Sequence, residues 1–411
     1  MKLIWFSHFV PYPPLGGSAQ RSFNLIRRMS ERYETILVAL NLQNEPGEAV
    51  ADYRKELRKY CSRVEIWELP WAWKGREWIA RLSLTPLYRP PYGCRAIWSR
   101  ELEAAWKQIL ADNPQALVHY DSIDLALYSE GSTGFRSVLN HHNCESAMAH
   151  RRAEKEPNPV KKVFLWDQAR KLERLEERIC HQFNVNLVVS DLDARLLHSR
   201  NPRMHYHIVE NGTDTGYFFP SIEEEEPNSL IFAGSLRWYP NISAVSFFAR
   251  EIWPRLKRAC PGVRLYLAGR GPVASMVRWS NEDKDVVLVA NPEDMRPWLA
   301  RAAVFVCPIV DGGGTRLKIL DAMAMGKAVV STTIGCEGLQ VTHGDNILVA
   351  DEPEDFAREI ASALQNEALR QQLGTKGRAL VERDYSWEAI ARQLDQAYQC
   401  ALGHEACGRG Q

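Results

Sequence analysis

Neither sign of charge is in excess in this chain: Lys and Arg number 51, as do Asp and Glu, over 411 residues. A strongly basic face of the kind that neutralises phosphates has no support in that balance, and no nucleic-acid partner is expected. Paired cysteines are missing as well. The nine cysteines stand singly, with no Cys-x-x-Cys and no Cys/His cluster. A disulfide framework and a zinc site are therefore not indicated, and a reducing cytoplasm fits best. No apolar run approaches the roughly 20 residues that a membrane-crossing helix needs. The opening Met1-Lys2-Leu3-Ile4-Trp5-Phe6 is hydrophobic but soon interrupted, and no small-residue cleavage pattern follows. It reads as a first buried strand rather than a leader. No internal repeat of short fixed period occurs.

What is present is an ordinary globular composition, 45% hydrophobic and 25% charged, at a length that suggests two or three domains. Short runs rich in Val, Ile and Leu fall at 3–6, 35–40, 64–68, 116–118, 137–140 and 187–190. They resume at 229–233, 264–268, 286–289, 304–307, 328–332 and 347–350. Most do not alternate apolar with polar, as expected of parallel strands covered on both faces. Helical patterns lie between them, for example over 19–31, 171–180 and 244–260. The alternation predicts two doubly wound α/β units. A link is expected near 200–228, where Asn201-Pro202, Asn211-Gly212, Pro220 and the acid run Glu223–Glu226 fall together. A last helical segment, about 387–402, follows the second unit and has the length to cross back onto the first.

In open α/β sheets ligands sit beyond the carboxyl ends of strands, so the loops after the strands carry the functional argument. The most informative follows the run Ala303–Pro308: Asp311-Gly312-Gly313-Gly314-Thr315-Arg316-Leu317-Lys318, continuing to Gly326. Consecutive glycines let backbone N–H groups approach a ligand closely. The helix start adds partial positive charge and unpaired donors. Arg316 and Lys318 add two full charges in the first turn, where the helix dipole disfavours cations. An anion, most simply a phosphate, resolves that conflict. A tight turn with two solvated basic residues is the plainer alternative, but three features favour the anion.

Other loops are weaker alone. Gly16-Gly17-Ser18 follows the first strand, with Ser18 expected as a helix cap; a flexible turn fits equally. His141-His142-Asn143-Cys144-Glu145 places imidazoles at a strand end, where proton donation near neutral pH and a purely structural pair are evenly matched. Ser190-Asp191-Leu192-Asp193 contains an Asp-x-Asp, but Ser190 and Asp193 form a capping box, so no metal is expected there. Gly234-Ser235-Leu236-Arg237 and Gly269-Arg270-Gly271-Pro272 are glycine turns at strand ends, each with an arginine able to meet phosphate. Asp321, one turn beyond Lys318, can accept from a ribose diol or pair with Lys318 at i, i+3. Glu337 can accept from sugar hydroxyls or stand exposed. Residues 71–106 carry Trp71, Trp73, Trp78, Trp98 and Trp106 among Lys74, Arg76, Arg81, Arg89, Arg95 and Arg100. That mixture suits a membrane interface, although a helical hairpin with buried aromatics is slightly favoured.

Taken together, Asn211-Gly212-Thr213-Asp214 with Phe218, Phe232-Ala233-Gly234-Ser235, Gly269-x-Gly271-Pro272 and Gly312–Gly326 closely resemble the retaining GT-B glycosyltransferases of family 4, group 1. The resemblance spans nearly the whole chain and is most specific in the second half. It implies two Rossmann-like doubly wound domains facing a central cleft, with a C-terminal helix crossing back to the N-terminal domain. The acceptor-binding domain would take 1–205 plus helix 386–411, and the nucleotide-sugar-binding domain 206–385. By the same resemblance His142 is the active-site histidine near the transferred sugar. Gly17 lies beside the donor phosphates, Arg316 and Lys318 contact the diphosphate, and Asp321 holds the ribose. Gly234, Ser235, Arg237, Gly269, Gly313, Gly314, Thr315 and Glu337 complete the donor-binding set.

Two positions depart from the family pattern. The first Glu of its Glu-seven residues-Glu motif falls at Gly313, and an Arg after the first C-domain strand falls at Ser235. The first departure leaves the sugar unassigned; the second shifts phosphate charge to Arg316 and Arg237. The implied reaction moves a hexose from a nucleoside diphosphate sugar to a hydroxyl acceptor with retention, without cofactor or metal. The acceptor would be a growing bacterial surface glycan or lipid-linked saccharide. The setting would be cytoplasmic, with peripheral contact at the inner membrane face through 71–106. Alternatives are a non-catalytic nucleotide-sugar-binding assembly partner and a GT-B nucleotide-sugar epimerase.

Overall fold

The computed structural model describes the chain except residues 70–84, 130–133, 222–224, 313–315 and 405–411. It divides into two compact units, Met1–Glu210 with Ile390–Gln411, and Asn211–Ala389.

The first unit is built on a seven-stranded parallel sheet: β1 (Lys2–Ser7), β2 (Glu34–Leu40), β3 (Arg63–Trp67), β4 (Leu117–Tyr120), β5 (Arg136–His141), β6 (Val185–Val188) and β7 (Tyr206–Ile208). The spatial order is β3-β2-β1-β4-β5-β6-β7. Register runs straight, with Leu3 to Phe6 of β1 opposite Thr35 to Val38 on one side and Leu117 to Tyr120 on the other. Residues 3–7 are all buried, so both faces of β1 are covered by helices. Strand order reverses between β1 and β4, which makes their carboxyl ends the place where a ligand site is expected. β7 has no counterpart among the predicted strands. It is a three-residue edge strand, Tyr-His-Ile, half-buried and without the Val/Ile/Leu signature.

The second unit repeats the plan with β8 (Glu226–Ala233), β9 (Arg264–Gly269), β10 (Val286–Ala290), β11 (Ala302–Cys307), β12 (Ala328–Ser331) and β13 (Leu348–Val349). Its order is β10-β9-β8-β11-β12-β13, again parallel, with the reversal between β8 and β11. A single apolar core runs from Leu230 to Tyr385.

The helix Trp387–Leu402 begins in the second unit, and from Ile390 it belongs to the first. There Tyr398 Oη lies 2.7 Å from His119 Nδ1, and Asp395 accepts from Tyr33 Oη at 2.6 Å. At 98 and 106 the buried-aromatic reading holds. Trp98 packs half-buried on the core. Trp106 is fully buried, stacks on Phe6 at 4.3 Å and donates to Tyr120 Oη at 3.2 Å. Trp71, Trp73, Trp78, Lys74, Arg76 and Arg81 lie outside the described residues. Among the described residues no helix is long and apolar enough to cross a membrane.

Candidate functional site: a charged corner at the second strand reversal

β8 ends at Ala233, and Gly234 follows it directly. Its φ of 137° would strain any side chain, and a Cβ would come within 2.9 Å of Lys318 Nζ. The next strand end is tighter still: a Cβ on Gly269 would lie 1.7 Å from the Gly234 carbonyl oxygen. These glycines let two strand-exit loops close on each other. The main chain seals the contact, Gly234 N donating to Ala268 O at 3.0 Å and Leu236 N to Arg270 O at 2.8 Å.

Lys318 enters this corner from the helix Leu317–Ala324, which the glycine stretch opens after β11. Its ammonium donates to Asn241 Oδ1 at 2.8 Å and sits 4.2 Å from the centre of the Phe232 ring. Asn241 is held in turn, donating to Ser235 O at 2.7 Å. Burial pushes the Lys318 pKa down to about 8, a nearby Cys307 thiol opposing and Arg316 adding to the shift. Arg316 caps that helix, with Nη2 3.4 Å from Asp311 O. Two cations therefore stand at a helix N-terminus whose dipole repels them.

Asp321, one turn further, does not pair with Lys318. It accepts from Thr213 Oγ1 at 2.5 Å. Burial raises its carboxyl to about 7, with the Thr213 bond pulling down and Asp214 pushing up. Arg237 is exposed, its stem against Gly271. Glu337 is half-buried in the turn after β12. Gly313, Gly314 and Thr315 lie outside the described residues. The structure thus brings together Gly234, Ser235, Gly269 and Lys318, with Arg316 beside them. Asn241 and Thr213, which complete the corner, were not singled out as site residues. Thr213 lay in a noted motif, whereas nothing local marks Asn241.

In the first unit the strand ends converge on a residue that was also not singled out, Asp121, just after β4. It accepts from Ser22 Oγ at 2.6 Å and from Asn140 Nδ2 at 3.0 Å, and is fully buried. Burial alone would raise its pKa. The close approach of the His119 and His142 rings, each 3.6 Å from its Oδ1, and the Ser22 hydrogen bond win, so Asp121 stays ionised. His142 Nε2 lies 3.6 Å from Asp121 Oδ1. Burial outweighs that attraction and lowers the His142 pKa, so the ring is neutral at pH 7. His8, at the end of β1, faces His142 at 5.9 Å between ring centres. Gly17 is the first residue of the helix Gly17–Met29. Ser18 is not its cap: Gly16 takes that place, with φ 118°, and its carbonyl receives Gln20 N at 2.9 Å. The helix therefore starts earlier than the serine signal suggested. Ser190 does cap its helix as expected, accepting Asp193 N, and Asp193 accepts Cys144 N at 2.8 Å.

Glycine turns and a half-buried lysine meet at the sheet reversal of the second unit. Residues 227–366 match the family described as Glycosyl transferases group 1. Among curated relatives, an uncharacterized 44.6 kDa protein of the Klebsiella pneumoniae cps region is 24% identical over 39% of this chain and 44% of its own length. A GDP-mannose-dependent monoacylated alpha-(1-6)-phosphatidylinositol monomannoside mannosyltransferase of Corynebacterium glutamicum is 29% identical over 46% of this chain and 55% of its own. The chain thus spans about half the length of these relatives. Among solved structures, sucrose-phosphate synthase of Thermosynechococcus elongatus superposes with TM-score 0.68 at 18% identity, covering 98% of this chain and 100% of that one. HepE of Anabaena, in complex with UDP-glucose, gives 0.66 at 13%, covering 96% and 99%. The fold is that of the GT-B glycosyltransferases.

Proposed function

We propose that this chain is a retaining glycosyltransferase that moves a hexose from a nucleoside diphosphate sugar to a hydroxyl acceptor. The observation that carries the reading is Lys318. It is a desolvated ammonium with no carboxylate partner among the described residues, held at the strand reversal of the second unit beside the glycine stretch. A diphosphate supplies the missing counter-charge. The Corynebacterium relative is a GDP-mannose-dependent mannosyltransferase and HepE binds UDP-glucose, which supports a nucleotide-sugar donor.

As the bond from the anomeric carbon to the diphosphate oxygen breaks, negative charge grows on the leaving group. Lys318, held on Asn241, and Arg316 beside it stabilise that charge from positions set before the reaction. The acceptor oxygen forms the new bond on the same face, and its proton passes to a phosphate oxygen of the leaving group. No metal and no cofactor enter this scheme. His142, neutral and oriented by Asp121, positions the sugar or the acceptor. A bacterial surface glycan or lipid-linked saccharide is the proposed acceptor class, reached from the cytoplasmic side.

The test is transfer or donor hydrolysis with UDP- and GDP-sugars on Lys318→Ala and Arg316→Ala. Losing one charge-stabilising donor lowers kcat by about 10²–10³. Unchanged rates would remove the phosphate assignment. Tight donor binding by the unaltered protein, with no turnover on any saccharide acceptor, would favour a non-catalytic assembly partner.

A further inference from the structure

The chain passes from the first unit to the second after Glu210 and returns after Ala389. Inside the second unit the segments next to those passages lie side by side. Thr213 N donates to Tyr385 O at 2.8 Å, and Trp387 N donates to Thr213 O at 3.2 Å, so Thr213 and Ser386 form a parallel bridge. Both main-chain groups of Thr213 are committed, and its side chain is buried at 2% exposure. Among the described residues the hydroxyl has one target, Asp321 Oδ1 at 2.5 Å. No described protein group donates to the other carboxylate oxygen.

We infer that Thr213 is a positioning residue for the nucleotide ribose: it grips one oxygen of Asp321 and thereby turns the second toward the vicinal diol of the donor. The inference rests on the donor reading above and adds to it a residue 108 positions away in sequence, on the segment that enters the unit. The terminal torsion of an aspartate is broad, so the carboxylate has no preferred plane of its own. One charge-assisted hydrogen bond from a clamped hydroxyl supplies it.

Geometry and ionisation work together here. Burial holds the carboxyl near neutral, and the Thr213 bond favours its charged form. Among the charged groups on the elements packed against its helix, Glu382 pairs with Arg378 and Arg383 with Asp384. Asp214 raises the pKa, Lys318 on the same helix is turned to Asn241, and Arg378 of the helix Glu367–Leu380 is held by the carbonyls of Thr215, Phe218 and Ala324. Without the hydroxyl the carboxyl protonates at higher pH and accepts more weakly from the diol.

The experiment titrates the full chain and its Asp321→Asn, Thr213→Val and Thr213→Ser variants. The ligands are UDP and 2′,3′-dideoxy-UDP, or the GDP pair where GDP binds more tightly, at pH 6, 7, 8 and 9.5. Hydrogen bonds to a charged group translate into about a ten- to hundredfold preference for the diol at pH 8. Asp321→Asn should lose that preference. Thr213→Val should lose it at pH 7 and 8 and recover it only in part at 9.5, where the carboxylate is charged but unoriented, while Thr213→Ser keeps the unaltered profile; full recovery at 9.5 would overturn the positioning role. Wild-type affinity for the dideoxy ligand certifies that a variant is folded. If no variant alters a diol preference, or none exists, the ribose assignment itself fails. If Asp321→Asn abolishes the preference but Thr213→Val leaves it unchanged at every pH, the ribose assignment stands and the positioning role of Thr213 is overturned.

Discussion

Lys318 and Asp321 stand one turn apart on a short helix, and burial displaces both from their ordinary ionisation, in opposite directions. A local ion pair would relieve both, yet each is directed elsewhere, to Asn241 and to Thr213. The glycine stretch and its two basic residues could be read from the sequence because the conflict with the helix dipole is local. Asn241 and Thr213 could not be assigned their contacts, since they reach the helix from 77 and 108 residues away.

The linkage signs at these two residues differ. Asp321 has a folded pKa near 7 against about 3.9 unfolded. The native state therefore holds more protons between those values, and stability falls as pH rises from about 4 to 7. Asp321→Asn should remove that fall and raise Tm at pH 8, read by thermal melting; a lower Tm at that pH would contradict the assignment. Lys318, near 8 folded against about 10.4 unfolded, contributes stability that rises as pH climbs through that window. A bound diphosphate restores its charge. Calorimetry with UDP or GDP at pH 8.5 in buffers of different ionisation enthalpy should show proton uptake, abolished in Lys318→Ala. Gly269→Ala, with backbone 1.7 Å from the new carbon, should destabilise by about 2–4 kcal/mol in denaturant melts, whereas a Cβ at Gly16 meets nothing within 4 Å.

At the scale of elements, the strands that were legible are those whose Val/Ile/Leu runs are buried on both faces, as in Val304-Phe305-Val306-Cys307. β7 escaped because an edge strand of three half-buried residues has no such run. Helix starts divided in the same way. Ser190 caps where its side chain reaches Asp193 N, while Ser18 was displaced by a glycine one step outside the helix. Ser190→Ala should destabilise by about 1 kcal/mol through the lost cap. A melt of the variant measures this, and a loss below a few tenths would show that the box contributes little.

For the whole molecule, two parallel sheets with their own cores imply two cooperative units. A ligand bound at 100 times its Kd stabilises the state that binds it by about 2.7 kcal/mol. Hydrogen exchange with saturating UDP or GDP should therefore slow in residues 211–389 first, with Leu230–Ala233 and Val304–Cys307 most protected. Protection confined to residues 1–210 would place the nucleotide in the wrong unit. The strand order of both sheets follows from a topology that the alternating pattern already implied, but which side chains meet at the reversals had to come from the structure. Asp121, after the fourth strand, shows why. Its four-residue strand is marked only by the short run 116–118, and its partners come from two other segments, Ser22 from the first helix and Asn140 and His142 from the end of β5.

The central claim is that Lys318 receives the diphosphate of the donor. Calorimetric titration of the unaltered chain and Lys318→Ala with UDP against UMP, and GDP against GMP, at pH 7 tests it most directly. The account predicts that the unaltered chain binds the diphosphate about ten- to a hundredfold more tightly than the monophosphate, a charge-assisted contact's worth. Lys318→Ala should lose most of that preference, Arg316 keeping the remainder, while retaining its fold by circular dichroism. Undiminished preference for the diphosphate in Lys318→Ala would contradict it.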